Sequence, residues 1–466
     1  MKKFVSVLFT LAFIALGMTA QSFPADGIYY YLNENSGSLT VTYPPVGEPL
    51  YVGDVVIPET VEYEEISYPV GAVGDYAFSG CPELLSVSLP SSIAAIGRNA
   101  FSSCPSLQQV NIPEGITEIP LYCFNGCESL QQIVIPSSVS SIAAFAFSRC
   151  QNLSSVSLDE NIVAIGEGAF AQCSSLEAVT FPLGLQQLGE YAFRDCTSIS
   201  EISFPESLTS VPDGVCYGCT SLSSVFFPET VTTIGESAFK SCILLDEVSL
   251  PSMLTYIGKS AFELCIQLEK INFTSQDLEI GEYVFSGCSA LFQVNLEGVS
   301  EIGAGAFMNV KNLSLLQLPE NLKKINPQAF KNDSRISEIY SLAETPPYLE
   351  KTAFDNEIYQ TATLYVVRGF GQLYRQSPPW SLFLNVEDTL ADAGADSIQV
   401  PTIGVAVVGG SVIFTGLESP ERYEVYSVSG SRIIEGVISE GEAVDGLSRG
   451  AIYLVKIAGT VFKVAL

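Results

Sequence analysis

Residues 84–104 read LLSVSLPSSIAAIGRNAFSSC, and this pattern recurs about every 23 residues along most of the chain. Val87 and Leu89 alternate with serines, which is typical of a short strand with one buried face, and the proline that follows ends the strand. A second apolar pair, Ile93 and Ile96, precedes a glycine, and the unit closes with Ala-Phe-x-x-Cys. Because a single unit cannot bury its own apolar residues, neighbouring units must stack and share one core.

Two residue types mark the register of the repeat. An aromatic residue occupies one position in almost every unit, at Phe78, Phe101, Phe124, Phe147, Phe170, Phe193, Cys216, Phe239, Phe262, Phe285, Phe307, Phe330 and Phe354. A cysteine follows three residues later at Cys81, Cys104, Cys127, Cys150, Cys173, Cys196, Cys219, Cys242, Cys265 and Cys288. The thirteen units predict a β-rich solenoid over residues 71–355, with 23-residue coils, a parallel sheet and short helical or 3-10 turns.

The consensus L-x-x-V-x-L-P-x-x-I-x-x-I-G-x-x-A-F-x-x-C resembles the leucine-rich repeat of the BspA-like family of bacterial surface proteins. The resemblance covers residues 71–387. It departs at Cys216, where the aromatic residue is missing, and at Val310 and Asp333, which replace the cysteine. It implies a leucine-rich-repeat solenoid displayed at a cell surface.

The segments that flank the repeats predict caps, a linker and a second domain. An open coil would expose apolar surface and an unpaired strand edge, so residues 21–70 are expected to form a strand-rich N-terminal cap and residues 356–387 a C-terminal cap. Residues 388–400 are small and acidic, which is typical of a linker. Residues 401–466 contain evenly spaced strand-like runs and predict a small β-sandwich.

The C-terminal module resembles the sorting domain of the type IX secretion route. The resemblance rests on residues 425–432, VYSVSGSR, on residues 450–457, GAIYLVKI, and on Lys463 near the end of the chain. It implies transfer across an outer membrane to the surface of a Gram-negative bacterium.

The first 20 residues read as a secretory signal peptide. Lys2 and Lys3 precede an apolar run over residues 4–16, and Ala20 supplies the small residue expected before a cleavage site. The run is too short to span a bilayer comfortably. We therefore expect a secreted protein without a transmembrane segment.

Charge excludes several classes of function. The chain carries 21 Lys and Arg against 51 Asp and Glu, with no His, for a net charge of −30. Nucleic acid is not an expected partner, because phosphate binding relies on many Lys and Arg contacts. The absence of imidazole also excludes His-based catalytic triads and His metal sites.

The remaining chemical motifs are explained by the repeat, and we expect no catalytic, cofactor or metal site. Cys216 and Cys219 have the spacing of redox and zinc sites, but one replaces the aromatic residue of its unit and the other lies in the cysteine register. Disulfides are compatible with export. The cysteines are nevertheless predicted to be buried thiols, since Val310 takes the same position and equivalent side chains on stacked coils point the same way.

The outward face of the predicted sheet carries the candidate binding residues. The residues on either side of the buried Val in each unit point away from the core. In the early units these are mostly Ser, Gln and Asn, whereas the later units are more varied. The candidates are Glu201, Ser203, Phe226, Glu247, Lys270, Asn272, Gln293 and Asn295.

Three functions remain open from the sequence. The first is an exported surface binding protein or adhesin that docks a protein or glycan partner on this face. The second is a structural or spacer protein of the cell envelope, with a merely solvated face. An exported enzyme is the third, and it would need a deep pocket with perturbed carboxylates.

Two short matches near the linker resemble the D-S/T-aliphatic acceptor of bacterial O-glycosylation. They place Thr389 after Asp388 and Ser397 after Asp396. The resemblance implies glycans on these two hydroxyls.

Overall fold

A computed structural model describes residues 22–390 and, beyond them, residues 404–408, 411–415, 421–427, 432–439, 442–444, 447, 452–457 and 460–465. The chain divides into two units, Met1–Leu390 and Ala391–Leu466. The predicted signal peptide and most of the predicted linker lie outside the described residues. The first unit is a parallel β-solenoid of about 14 turns, as the sequence predicts.

The N-terminal segment forms strands β1 (Phe23–Ala25), β2 (Ile28–Asn33), β3 (Ser38–Thr42), β5 (Thr60–Tyr63) and β6 (Ile66–Val73). The order in the sheet is β1-β2-β3-β6-β5. Strand β6 also pairs in parallel with β8 (Ala95–Ile96), through Ala72 with Ala95 and Val73 with Ile96. The N-terminal strands thus continue into the solenoid and cover one of its open ends.

The apolar alternation around Val87 produces the first of two parallel sheets. Its strands pair one repeat apart, as Gln132 does with Ser155 and Ser224 with Glu247. They are β4 (Gly53–Val56), β7 (Leu84–Ser88), β9 (Gln109–Val110), β11 (Gln132–Val134), β13 (Ser155–Ser157), β16 (Glu201–Ser203), β18 (Ser224–Phe226), β20 (Glu247–Val248), β22 (Lys270–Asn272), β24 (Gln293–Asn295), β26 (Leu315–Leu318), β28 (Glu338–Ser341), β30 (Thr363–Val367) and β31 (Asn385–Leu390).

The second apolar pair of each unit produces another parallel sheet, which the sequence analysis did not predict. Each strand is short and buries one aliphatic residue. The strands are β8, β10 (Glu118–Ile119), β12 (Ser141–Ile142), β14 (Ala164–Ile165), β15 (Gln187–Leu188), β17 (Ser210–Val211), β19 (Thr233–Ile234), β21 (Tyr256–Ile257), β23 (Leu278–Ile280), β25 (Val299–Ile302), β27 (Lys324–Ile325) and β29 (Tyr348–Leu349).

The C-terminal cap contains helices α1 (Asn356–Thr361) and α2 (Gly371–Gln376) and a 3-10 turn, Trp380–Leu382. The buried Trp380 donates its indole N–H to the carbonyl of Pro347 at 2.8 Å, and Arg375 donates to the carbonyl of Val386. Strand β31 runs to Leu390 because it pairs with β30. Residues 388–390, assigned to the linker from composition, therefore belong to this strand. None of the helices in the described part of the chain has the length and apolar character needed to cross a membrane.

The described strands of the second unit form two antiparallel sheets. One has the order β32-β33-β36 and the other β35-β34-β37-β38. Their packing into a sandwich stays a prediction. The strands are β32 (Gly404–Val408), β33 (Ser411–Thr415), β34 (Glu421–Ser427), β35 (Arg432–Ile438), β36 (Ala443–Val444), β37 (Ile452–Ile457) and β38 (Thr460–Ala465).

A stack of phenylalanine rings runs through the solenoid core. Neighbouring rings of the register lie nearly parallel, as Phe78 and Phe101 do at 5.2 Å between centroids, in the offset arrangement that aromatic pairs favour. The unit from Phe285 to Phe307 is one residue shorter than the consensus, yet its rings still stack at 5.3 Å. Variation in unit length is therefore absorbed in the turns while the stack is maintained.

The substitution at Cys216 interrupts the stack, and a second aromatic column fills the gap. Phe204 and Phe227 replace the aliphatic residue before the proline of their units and stack on each other at 5.7 Å. Both make edge contacts with Phe239, at 6.3 Å and 5.6 Å. Val215, at a position that is otherwise mostly alanine, adds further volume. Core volume is conserved across coils, which is what close packing requires.

The register cysteines are buried, as predicted, and their thiols also make a directional contact. Cys104 donates its S–H to the carbonyl of Phe78 at 3.0 Å, and Cys173 donates to the carbonyl of Phe147 at 3.2 Å. Each acceptor belongs to the aromatic residue of the preceding coil. All twelve cysteines are unpaired thiols in the structure. Burial raises the pKa of the Cys173 thiol well above its ordinary value, which keeps the group protonated as a donor.

Asp333 takes the cysteine position in a late coil and is fully buried. Neither of its carboxylate oxygens has a hydrogen-bond partner. Burial, with a smaller contribution from nearby Asp355, raises the pKa of Asp333 to about 9. The carboxyl is therefore neutral at pH 7 in the folded protein and ionised in the unfolded chain.

We predict that Cys173→Ser lowers the free energy of unfolding by about 1 kcal/mol or more. The hydroxyl is more costly to bury than the thiol, and its shorter bond to carbon leaves it farther from the Phe147 carbonyl. Chemical denaturation measures the change, with the exposed Ser157→Ala as control. Equal stability of Cys173→Ser and wild type would contradict this account of the cysteine register.

Asp333→Cys is expected to raise the free energy of unfolding, by roughly 1–3 kcal/mol at pH 8. The folded-state pKa of Asp333 lies above the unfolded-state value, so its contribution is most favourable below about pH 4 and is lost as pH rises toward about 9. The advantage of the variant should therefore shrink toward pH 4. Denaturation of wild type, Asp333→Cys and Asp333→Asn across this range provides the measurement. A pH-independent difference between Asp333→Cys and wild type would refute the titration of Asp333.

Candidate binding surface

The structure brings the eight predicted binding residues together on one face of the first sheet. They form two adjacent columns along the stacked coils, and the residues between the columns, such as Ile202 and Val225, are buried. One column contains Glu201, Ser224, Glu247, Lys270 and Gln293, and the other contains Ser203, Phe226, Ser249, Asn272 and Asn295. Of the eight predicted residues all are exposed except Gln293, which is half-buried.

Phe226 is the most distinctive side chain of this face. It is 53% exposed, and its neighbours in the same column are Ser203 and Ser249. Because both neighbours are small, the ring stands above the surrounding sheet. Val134, 76% exposed, is an exposed apolar residue in the same column several coils earlier.

The charges around Phe226 are largely uncompensated. Within the described residues, neither Glu201 nor Glu247 forms an ion pair. Lys270 lies over the ring of Phe292, with its Nζ 5.5 Å from the ring centroid, which is a cation–π distance. The face therefore combines an exposed ring, two free carboxylates and one ammonium group held by an aromatic ring.

The sequence analysis missed a pair of tyrosines near the C-terminal end of the same sheet. Tyr340 and Tyr365 are paired in register and stack at 4.6 Å with an interplanar angle of 12°. The Tyr340 hydroxyl donates to Glu338 at 3.0 Å, and burial together with this carboxylate raises the pKa of Tyr340 to about 12. Extending the register beyond Asn295 would have identified both residues as outward-pointing.

The other predicted positions are placed as follows. Cys216 and Cys219 are both buried in the core, where packing accounts for them. In the part of the chain that the structure describes, no group of three or more acidic or cysteine side chains is arranged to hold a metal ion. Thr389 is exposed on β31, whereas Ser397 lies outside the described residues.

The repeat matches a known family over most of the solenoid. The model of the BspA type leucine-rich repeat region, which contains six copies, matches residues 58–177, 117–246, 163–291 and 232–360. The chain belongs to the BspA-type leucine-rich-repeat family. No curated protein is similar to it.

Solved structures support the same fold. A leucine-rich repeat protein from Bacteroides ovatus is 26% identical, with a TM-score of 0.62, and the match covers 76% of this chain and 96% of that chain. The pneumococcal vaccine antigen PcpA is 20% identical, with a TM-score of 0.47, over 80% of this chain and 98% of that chain. A leucine-rich cell surface protein from Faecalibacterium prausnitzii is 20% identical, with a TM-score of 0.35, over 80% of this chain and all of that chain.

Proposed function

We propose that this BspA-type protein is an exported, non-catalytic cell-surface protein that binds a protein or glycan partner on the outward face of its first sheet. The exposed Phe226 is the observation that carries the proposal. Burying a side chain of this size in an interface contributes about 1.5–3 kcal/mol, and aromatic residues are enriched among the side chains that dominate binding energy. The equivalent positions of neighbouring coils hold small polar residues, so the repeat itself does not require an aromatic residue there.

The geometry suits a partner that contacts several coils. The predicted residues occupy five consecutive coils from Glu201 to Asn295, which is a span of roughly 20 Å at the spacing of paired strands. Repeat proteins present such extended surfaces to their partners. Free carboxylates at Glu201 and Glu247 and the ammonium group of Lys270 supply polar contacts around the ring.

Export is supported by the N-terminal residues, which have the three parts of a signal peptide. The C-terminal module supports display at the surface of a Gram-negative cell through its resemblance to a type IX sorting domain. This assignment divides the chain into a binding solenoid and an export module, joined by an acidic segment.

Phe226→Ala is expected to weaken binding of a confirmed partner by about 1 kcal/mol or more, which is roughly fivefold in affinity. The partner is sought on arrays of extracellular matrix proteins and glycans with the mature chain, and affinity is then measured by surface plasmon resonance. Val134→Ala is the matched control, because it removes an exposed apolar residue from the same column outside the candidate coils. Equal affinity of both variants and wild type would place recognition elsewhere, and no binding to any array would favour the spacer function.

Deletion of residues 403–466 should prevent surface display in a host with the type IX system and leave the solenoid folded. The two units are compact by themselves, so the solenoid core does not depend on the C-terminal strands. Immunolabelling of intact cells measures display, and thermal unfolding of the truncated protein measures folding. Normal display would refute the sorting assignment, and loss of the cooperative transition would refute independent folding.

A further inference from the structure

A shallow trough of about 740 Å³ lies over the second sheet, on a different side of the coils from Phe226. Its floor includes the outward side chains of Ser210 on β17 and Thr233 on β19. The volume falls in the range of small-molecule sites, which is about 300–1,000 Å³. Such sites are usually mostly apolar, so the small polar floor indicates a polar occupant.

The trough exists because glycine is required where its coils touch. A Cβ atom on Gly235 would lie 2.4 Å from Oδ1 and 2.6 Å from the backbone nitrogen of Asp213 on the preceding coil. Real Cβ atoms essentially never come so close, so no side chain can fill this part of the floor. The depression is therefore a consequence of coil packing and is present in the folded protein before any ligand arrives.

One wall of the trough is a row of carboxylates, and one end carries an aromatic ring. Glu190, Asp213 and Glu236 occupy equivalent positions on consecutive coils. Oδ1 of Asp213 accepts the backbone N–H of Glu236 at 2.7 Å, which fixes the carboxylate and leaves its second oxygen available. Tyr256 is 38% exposed, and its pKa is raised by partial burial and by the surrounding carboxylates.

We infer that this trough binds an uncharged polysaccharide chain lying along the direction in which the coils stack. Hydroxyl groups of a sugar can donate to the carboxylates and exchange hydrogen bonds with Ser210 and Thr233. The exposed edge and face of the Tyr256 ring offer an apolar surface to the C–H groups of a pyranose. The negative wall disfavours sulfated or uronic-acid chains, because like charges repel.

Periodicity supports the orientation of the chain. The stacked phenylalanine rings show that the coils repeat every 5.3–5.5 Å in this region. This distance is close to the length of one sugar residue in an extended polysaccharide, so successive sugars meet equivalent groups on successive coils. Affinity should consequently rise with the number of sugars until the trough is filled.

The test is isothermal titration calorimetry of the mature chain with cellohexaose, laminarihexaose, mannohexaose and the corresponding disaccharides. At least one hexasaccharide should bind, at least tenfold more tightly than its disaccharide. Tyr256→Ala should reduce this affinity tenfold or more, and Ser210→Trp should abolish binding by filling the trough. Tyr348→Ala is the matched control, because Tyr348 has the equivalent outward position on β29, is 57% exposed and lies outside the trough.

Several results would overturn the inference. These are failure of all three hexasaccharides to bind, equal effects of Tyr256→Ala and Tyr348→Ala, and binding of spermine or a heparin hexasaccharide in place of the neutral sugars. Thermal unfolding of each variant confirms that the solenoid is intact. Phe226→Ala should leave hexasaccharide binding unchanged, so the outcome is separate from that of the proposed function.

Discussion

Contact between stacked phenylalanine rings sets the spacing of the coils, and both parallel sheets depend on that spacing. The rings of successive coils lie 5.1–5.5 Å apart along most of the register. Strands pair at a similar distance, so one core column keeps two sheets in register without strain. Where the ring is missing at Cys216, Phe204 and Phe227 supply the volume from another position of the unit. The constraint is therefore on core volume and spacing, and several residue combinations satisfy it.

The thiol register adds direction to this packing. A carbonyl group in a turn that is buried by the next coil would be costly without a donor, and the cysteine S–H provides one in a side chain small enough for the core. Valine at position 310 fills the same space without a donor, and aspartate at position 333 fills it with a group whose pKa is displaced. The same position thus ranges from a stabilising contact to a titratable defect, depending on the residue.

Much of the fold follows from the sequence, because the aromatic and cysteine registers are dictated by core packing. The exposed columns of the first sheet could be read in the same way, since residues alternate between core and solvent along a strand. The second sheet was harder to predict, because each of its strands buries only one aliphatic residue and shows no alternation. The trough was inaccessible to sequence analysis for a related reason: it depends on the close approach of Gly235 to Asp213, two residues that are 22 positions apart. The boundary at Leu390 was missed because pairing with β30, and not composition, keeps the acidic residues in the last strand.

The shorter coil between Phe285 and Phe307 has a consequence for how such a chain can change over evolutionary time. If the ring stack tolerates a missing residue in a turn, then duplication or loss of an entire coil also leaves a continuous core. Each such event would move Phe226 and Tyr348 relative to one another by one coil while leaving the side chains of every other coil intact. The array is therefore a modular surface, in which the distances between recognition elements can evolve separately from the elements themselves.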